Sequence, residues 1–309
     1  MITSVFRKST PLNFLLVGIL MLFFFLLFLW QDLSWTNSIF LIVIKVALFC
    51  LLLASVFIAN FVAKKNGLSK DSTFTIFFYF LFLLFFPSVL ANTNLIVSNF
   101  FILLALRRLI SLQSLKASKE KIFDASFWIF LAALFHFWSI IFIILVFISI
   151  LFHVSRDYRN WILPFIAFFV VAIFFLIYAT VFNLNGFQYL NQSVETNFEI
   201  NYFTTNYQNA AFSIYATIAL FFVVSMFSTL SSRPQLLITS YKKIIASFFI
   251  GVLIFIVSSN KSNDLLIFTF APLAIMATSH IEMPQLKLNK ELALYVLILC
   301  SMFAFFTQL

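Results

Sequence analysis

The stretch Ala125–Phe152, "ASFWIFLAALFHFWSIIFIILVFISILF", runs for 28 residues and contains a single ionisable side chain, that of His136. A continuous helix of this length would measure about 42 Å. That exceeds the hydrocarbon core of a bilayer, which is about 30 Å thick. The stretch is therefore either one long span or two shorter helices that enter and leave on the same side. The choice between them decides on which side every later segment lies.

The composition of the whole chain is that of a membrane protein. Of its 309 residues, 63% are hydrophobic and 9% are charged, and the apolar residues recur in blocks long enough to span a bilayer as helices. We predict an all-α fold, a polytopic transmembrane helical bundle that forms one domain over residues 1–309. About 9–11 membrane segments are expected. The apolar blocks lie near 13–30, 38–63, 73–90, 95–112, 125–152, 161–182, 210–230, 244–258, 265–280 and 291–308.

The distribution of basic residues favours two short helices over one span. Lys and Arg accumulate on the cytoplasmic side of membrane proteins, so Arg7 and Lys8 place the N-terminus there. A single crossing by 125–152 would invert this bias for the second half of the chain. A re-entrant or hairpin pair with its tip at Leu134–Ser139 instead leaves only Lys45 and Lys261, of 19 basic residues, away from cytoplasmic segments. We therefore predict a hairpin at 125–152 in a multi-pass protein of the bacterial inner membrane.

Several function classes are disfavoured by what the sequence contains. Cys50 and Cys300 lie far apart in apolar segments, which indicates neither a disulfide nor a metal site. The chain has four glycines and no phosphate-binding loop or dinucleotide motif, so no cofactor is expected. The net charge of +9 follows from the cytoplasmic bias of Lys and Arg, and no nucleic acid is expected as a partner.

The predicted topology gathers a few ionisable residues near the outer side, namely Asp32, Lys45, His136, Lys261 and Asp264. Ionisable groups within a membrane are costly and are candidates for function. We predict that Lys45, Lys261 and Asp264 bind the substrate, the two lysines contacting an anionic headgroup or pyrophosphate. Asp32 or His136 is the predicted general base. Each also has a structural explanation, because Lys45 can reach the interface, Lys261 and Asp264 can pair at a helix end, and His136 can bond a carbonyl.

The longest polar stretch is the predicted external loop at 183–209, "NLNGFQYLNQSVETNFEINYFTTNYQN". It is rich in Asn, Gln and Tyr, contains Glu195 and Glu199, and has no Lys or Arg. Amides and aromatic faces suit sugar rings, yet an ordinary exposed loop would have much the same composition.

Two segments carry a resemblance to known proteins, "ALRRLISLQSLKASKEKIFDASFWIFLAALFHFW" at 105–138 and "NKSNDLLIFTFAPLAIMATSHIE" at 260–282. With them the chain resembles, over nearly its whole length, an uncharacterised family of bacterial integral membrane proteins, which implies no particular activity or catalytic residues. It is more loosely similar to polytopic enzymes that polymerise or transfer lipid-linked glycans. The first external loop, "QDLSWTN", is much shorter than in the glycosyltransferases that place a catalytic acid there, so the likeness does not give Asp32 that role.

Two functions of different classes follow. The first is an enzyme or carrier that handles a lipid-linked or polyprenyl-linked glycan at the outer face, with membrane lipid and a lipid-linked sugar as partners. The alternative is a non-catalytic membrane subunit that packs against other proteins in an envelope complex. An enclosed polar site would favour the first, and stable co-purification with a partner would favour the second.

Overall fold

A computed structural model describes residues 2–182, 194–198, 203, 205–284 and 286–309. Within these ranges the chain forms twelve α-helices. In chain order they are α1 (Ile2–Phe6), α2 (Pro11–Leu29), α3 (Ile39–Lys65), α4 (Phe74–Leu84), α5 (Thr93–Ile110), α6 (Ser118–Phe135), α7 (Ile143–His153), α8 (Arg159–Val181), α9 (Asn206–Thr229), α10 (Gln235–Val257), α11 (Ile267–Glu282) and α12 (Lys287–Gln308).

The protein is a multi-pass membrane protein with an all-helical fold. In the described part of the chain, eight helical segments are long and apolar enough to cross a membrane, and α4 and the hairpin arm 137–153 are shorter apolar helices. Large apolar side chains cover the outside of the bundle, as on α8, where Phe165, Phe169 and Phe174 are exposed. Such side chains face lipid without cost, because lipid tails are as apolar as they are. The predicted fold class is confirmed.

The stretch 125–152 is a helical hairpin. Helix α6 ends at Phe135, His136 adopts an extended backbone, and the chain returns through a 3₁₀ turn, Phe137–Phe142, into α7. The start of α6 and the segment that follows α7 meet at the open end of the hairpin, since the ammonium of Lys119 lies 3.3 Å from a carboxylate oxygen of Asp157. A single span would hold these residues a membrane thickness apart. The hairpin predicted from the basic residues is therefore confirmed, with its bend at His136.

The hairpin turns without Gly or Pro because serine hydroxyls satisfy the backbone at the bend. Ser139 donates from its hydroxyl to the carbonyl of His136 at 2.5 Å. From the neighbouring helix α5, Ser98 donates to the carbonyl of Ala132 at 3.1 Å and lies 2.7 Å from the Ser139 hydroxyl. Irregular backbone at membrane depth persists only where protein or water satisfies it. Here buried serines on two helices do so.

The bundle has two distinct ends. We call the end that carries Lys64, Lys70, Lys119 and Arg233 the basic face, and the end that carries His136, Ser258 and Asp264 the tip face. Side-chain bonds join distant segments within each end. At the basic face these bonds are Thr73–Phe6, Gln113–Asn66, Ser240–Gln113, Lys70–Glu282 and Arg233–Ser279. At the tip face they are Gln308–Phe85, Ser88–Asp264, His136–Ser258 and Asn263–Gln208.

Helices α4 and α11 form the centre of the bundle. Every residue of α4 is buried, as is almost all of α11. Hydroxyl pairs cross this core, including Thr75 with Thr278 at 3.1 Å and Tyr215 with Thr269 at 2.6 Å. At the tip face, α4 leads into the segment that precedes α5, and the segment that follows α10 leads into α11.

One predicted boundary was wrong. The apolar block expected to begin near 244 begins as helix at Gln235, because α10 includes two lysines at 242 and 243. Lys243 is fully buried, and its ammonium donates to the carbonyl of Leu109 at 2.6 Å and lies 3.1 Å from Nε2 of His153. Partners from two other helices thus stabilise Lys243 inside the span, a position from which hydropathy alone would exclude a lysine.

Candidate functional site

A polar cavity of about 370 Å³ lies at the tip of the hairpin. Three segments build it: the bend 135–138, the start of α5, and the loop that links α10 to α11. Its walls are mostly amides and hydroxyls, with aromatic rings from the bend. The lining residues used below are Asn92, Asn94, His136, Trp138, Ser258 and Asn260.

His136 occupies the wall that the hairpin contributes. Its Nε2 atom lies 3.2 Å from the hydroxyl of Ser258, and its ring lies 5.7 Å from the ring of Phe268. The half-buried imidazole therefore has a polar partner. Because the bend places His136 at the extreme end of the hairpin, the side chain faces the cavity and is not enclosed between the two arms.

Asp264 lies beside this cavity. It borders a second hollow of about 450 Å³, and Asn92 and Asn94 line both hollows. The carboxylate is buried, with 7% of the residue exposed, and it accepts a hydrogen bond from the hydroxyl of Ser88. A carboxylate held by a hydroxyl donor and close to two amides is well placed to accept a hydrogen bond from a ligand hydroxyl.

The described part of the polar loop 194–198 lies against the cavity. Trp138 donates from its indole N–H to the carbonyl of Glu195 at 3.3 Å. Thr196 forms an antiparallel bridge with Ser258, which lines the cavity, and the ammonium of Lys261 donates to the carbonyl of Asn197. The remaining part of the predicted external loop, 183–193, 199–202 and 204, lies outside the described residues.

The structure brings together some of the predicted site residues and not others. His136 and Asp264 line the two adjoining hollows, and Lys261 lies in the loop that forms their rim. Asp32 and Lys45 line neither hollow. The predicted catalytic and substrate-binding roles of all five residues remain predictions.

Asp32 begins the short 3₁₀ turn Leu33–Asn37. Its carboxylate accepts from the backbone N–H and from the hydroxyl of Ser34, both at 2.8 Å. These bonds hold the pKa of Asp32 below its usual value, and the bond from the Ser34 backbone has the largest effect. The positive charge of Lys45 adds a smaller effect in the same direction. An exposed, ionised carboxylate that caps a turn has a sufficient structural role.

The sequence prediction missed half of the residues that line the cavity. These are the amides and hydroxyls of two short polar clusters, "ANTN" at 91–94 and "SSNKSN" at 258–263. Each cluster separates two apolar blocks that the charge pattern predicts to meet the outer side. This shared position is the feature of the sequence that could have identified the two clusters as cavity-lining residues.

The basic face has cavities of a different kind. One of about 680 Å³ is lined by Arg7, Lys70, Glu282 and Lys290 among others, and a second of about 640 Å³ includes Arg233. Across the described residues, no group of three or more His, Cys, Asp or Glu side chains is placed to hold a metal ion.

These features define the class of protein: a multi-pass integral membrane protein with a helical hairpin whose tip lines a polar cavity at one end of the bundle. A family model described as "Family of unknown function (DUF6427)" matches residues 6–309, so the chain belongs to this family. No curated protein and no solved structure matches the chain. The predicted membership in a family without an assigned activity is confirmed, whereas the looser likeness to enzymes of lipid-linked glycans has no counterpart in these comparisons.

Proposed function

We propose that this membrane protein binds the sugar headgroup of a lipid-linked glycan in the tip-face cavity, at the outer face of the bacterial inner membrane. The observation that carries the proposal is the lining of the cavity, in which uncharged amides and hydroxyls from three chain segments surround one histidine. A polar cavity of this kind suits a ligand with many hydroxyl groups, since each hydroxyl both donates and accepts.

The aromatic and amide side chains have complementary roles in this proposal. Trp138 offers a ring face for a sugar, and its indole N–H is already bonded to the carbonyl of Glu195, so the ring is fixed in place. Asn92 and Asn94 present amides at the junction of the two hollows. Amides that hydrogen-bond a ligand hydroxyl favour it over analogues that lack the hydroxyl, because those analogues forgo the bond.

Two groups supply acid–base chemistry if the protein is an enzyme. His136 and Asp264 are the ionisable side chains among the described lining residues of the two hollows. A general base must lie within hydrogen-bond reach of the proton that it removes. His136 lines one hollow and Asp264 the other, and Asn94 lines both, so a sugar bound near Asn94 would lie between the two groups. Lys261, with its ammonium bonded to Asn197, supports the rim.

The test is photo-crosslinking of the purified protein to a polyprenyl-diphosphate-linked N-acetylglucosamine probe. Asn94→Ala is expected to weaken probe binding by up to about tenfold, the value of one lost hydrogen bond. His136→Leu is expected to fold and to lose turnover. The matched control is Asp32→Asn, which changes an exposed carboxylate at the same end of the bundle but outside both hollows.

The outcomes separate the functions. Binding with turnover that depends on His136 or Asp264 supports an enzyme, and binding without turnover supports a carrier. Labelling that is equal in the wild type, in Asn94→Ala and in the control would overturn the proposal. Stable co-purification with another membrane protein, together with an absence of specific labelling, would support the alternative of a non-catalytic subunit.

A further inference from the structure

The cavity of about 680 Å³ at the basic face is built by four separate chain segments. They are α1 with the residue that follows it, the segment between α3 and α4, the end of α11, and the first turns of α12. Thr3 of α1 donates from its backbone N–H to a carboxylate oxygen of Glu291 at 3.2 Å, and its hydroxyl donates to the same oxygen. This bond fixes α1 against α12 and so places Arg7 and Lys290 on one cavity.

The charges on this cavity are unbalanced. Its lining contains three cationic side chains, those of Arg7, Lys70 and Lys290, and one carboxylate, that of Glu282. The carboxylate is already bonded to other lining residues, because one oxygen accepts from the backbone N–H of Lys70 at 2.8 Å and the other from the hydroxyl of Ser72 at 2.6 Å.

Arg7 and Lys290 have side-chain N–H donors that are available to a ligand, whereas Lys70 is already bonded. Lys70 donates from its ammonium to the carbonyl of Glu282 at 3.2 Å. By contrast, neither the guanidinium of Arg7 nor the ammonium of Lys290 donates a hydrogen bond to any residue that the structure describes. Like charges that converge on one cavity repel each other, and an anion between them removes that repulsion.

We propose that this cavity binds a phosphate group, contacted by the guanidinium of Arg7 and the ammonium of Lys290. A guanidinium matches two phosphate oxygens at once, and an ammonium contributes a compact charge. Basic pockets between membrane helices bind lipid headgroups in this way. Met283 and Pro284, which also line the cavity and are at least partly exposed, add apolar surface, which suits the acyl end of an anionic lipid and is of no use to a free phosphate ion.

The first arm of the test measures lipid binding to the full-length protein by native mass spectrometry in detergent, with phosphatidylglycerol and, for comparison, phosphatidylcholine. The double variant Arg7→Gln/Lys290→Gln is expected to bind phosphatidylglycerol about tenfold more weakly or worse, because charge-assisted hydrogen bonds are lost. The matched control is Arg156→Gln/Lys116→Gln. It removes one Arg and one Lys that are exposed at the same face and do not line this cavity, and it is expected to bind like the wild type.

The second arm titrates inorganic phosphate by calorimetry. Phosphate binding that is lost in Arg7→Gln/Lys290→Gln, without a change for phosphatidylglycerol, would identify a free phosphate as the ligand. Equal weakening in both double variants would show a diffuse effect of surface charge and overturn the proposal, as would unchanged binding of both probes. If the double variant does not fold, Lys290→Gln alone should weaken binding and Lys290→Arg should preserve it, while equal binding by these two variants would also overturn the proposal.

Discussion

The tip face and the basic face both contain polar cavities of several hundred Å³, but their walls differ in chemistry. At the tip face the walls carry amides and hydroxyls, and Asp264 is bonded to a serine. At the basic face three cations surround one carboxylate, Glu282, whose oxygens are already occupied. The first arrangement suits a neutral ligand with many hydroxyl groups and the second suits an anion. Two cavities with different lining chemistry thus lie at opposite ends of one bundle.

The two ends also differ in how they are held together. At the basic face, hydrogen bonds from side chains join segments that are far apart in sequence, with Glu282 and the segment 70–72 separated by more than two hundred residues. Near the tip face, helices approach closely: a Cβ atom on Gly251 of α10 would lie 2.9 Å from the Thr269 side chain and 3.2 Å from the backbone of Phe268. Side-chain bonds link distant segments at both ends, and the close approach of α10 and α11 at Gly251 is an additional contact near the tip face.

The largest expected effect is an all-or-none difference in accessibility between the two faces. In a background with Cys50→Ser and Cys300→Ser, we expect Asn260→Cys to react with a membrane-impermeant maleimide on intact cells. Lys121→Cys and Arg156→Cys should react only after permeabilisation, because both lie at the basic face, which the distribution of Lys and Arg predicts to be cytoplasmic.

Labelling of Arg156→Cys from outside and Lys121→Cys from inside would contradict the hairpin and the contact between Lys119 and Asp157. Labelling of all three positions from one side would contradict the placement of the tip face and the basic face on opposite sides of the membrane.

The next largest effect should come from Glu282→Gln at the basic face. The amide retains the size of the side chain but loses the charge that strengthens two hydrogen bonds, one from the Lys70 backbone and one from Ser72. We expect the free energy of unfolding in detergent to fall by about 1.5–3 kcal/mol. The control is Glu120→Gln, an exposed carboxylate in the first turn of α6. Equal stability of both variants would show that Glu282 does not link the segments of this end.

Close helix packing near the tip face can be tested at Gly251. We expect Gly251→Ala to lower the free energy of unfolding by about 1–3 kcal/mol, because a methyl group has no room against α11. It should also shift Ser258, at the end of the same helix, relative to His136. The matched control is Gly18→Ala, where an added Cβ meets nothing within 4 Å, and no loss is expected. A harmless Gly251→Ala would contradict the close approach of α10 and α11.

The smallest expected effect concerns Asp157 at the mouth of the hairpin. The backbone N–H of Arg159, and to a lesser extent Lys119, hold the pKa of Asp157 below its ordinary value of 3.8. A carboxylate with a lowered pKa in the folded state contributes stability above its unfolded pKa and loses it as the pH falls through the folded pKa. The melting temperature of the wild type should therefore fall slightly more than that of Asp157→Asn below about pH 4.

High salt should reduce this difference, since exposed charges are screened. A larger fall in Asp157→Asn than in the wild type would reverse the sign and contradict the assigned hydrogen bond.

Much of the fold follows from the sequence because two of its determinants depend only on the residue types within each segment and not on distant parts of the chain. Apolar blocks place helices in the membrane whatever their neighbours are, and the positions of Lys and Arg assign sides. These two rules were sufficient to predict the hairpin at 125–152, although its bend contains neither Gly nor Pro. They also predicted that His136 and Asp264 lie at the same end. They could not show that Asp32 and Lys45 lie outside the hollows that those two residues share.

What only the tertiary structure decided is which polar groups have partners, because those partners come from distant parts of the chain. Lys243 is accommodated inside α10 because its side-chain nitrogen donates to a carbonyl at 109 and lies within hydrogen-bond distance of an imidazole at 153. The polar clusters at 91–94 and 258–263 form one cavity because the central helices bring their ends together. A buried charge or amide is stable only when it is paired, and pairing depends on distance in space. The sequence by itself determined the class and the hairpin and predicted the sides of the membrane segments, and the packing of the helices determined where the cavities lie.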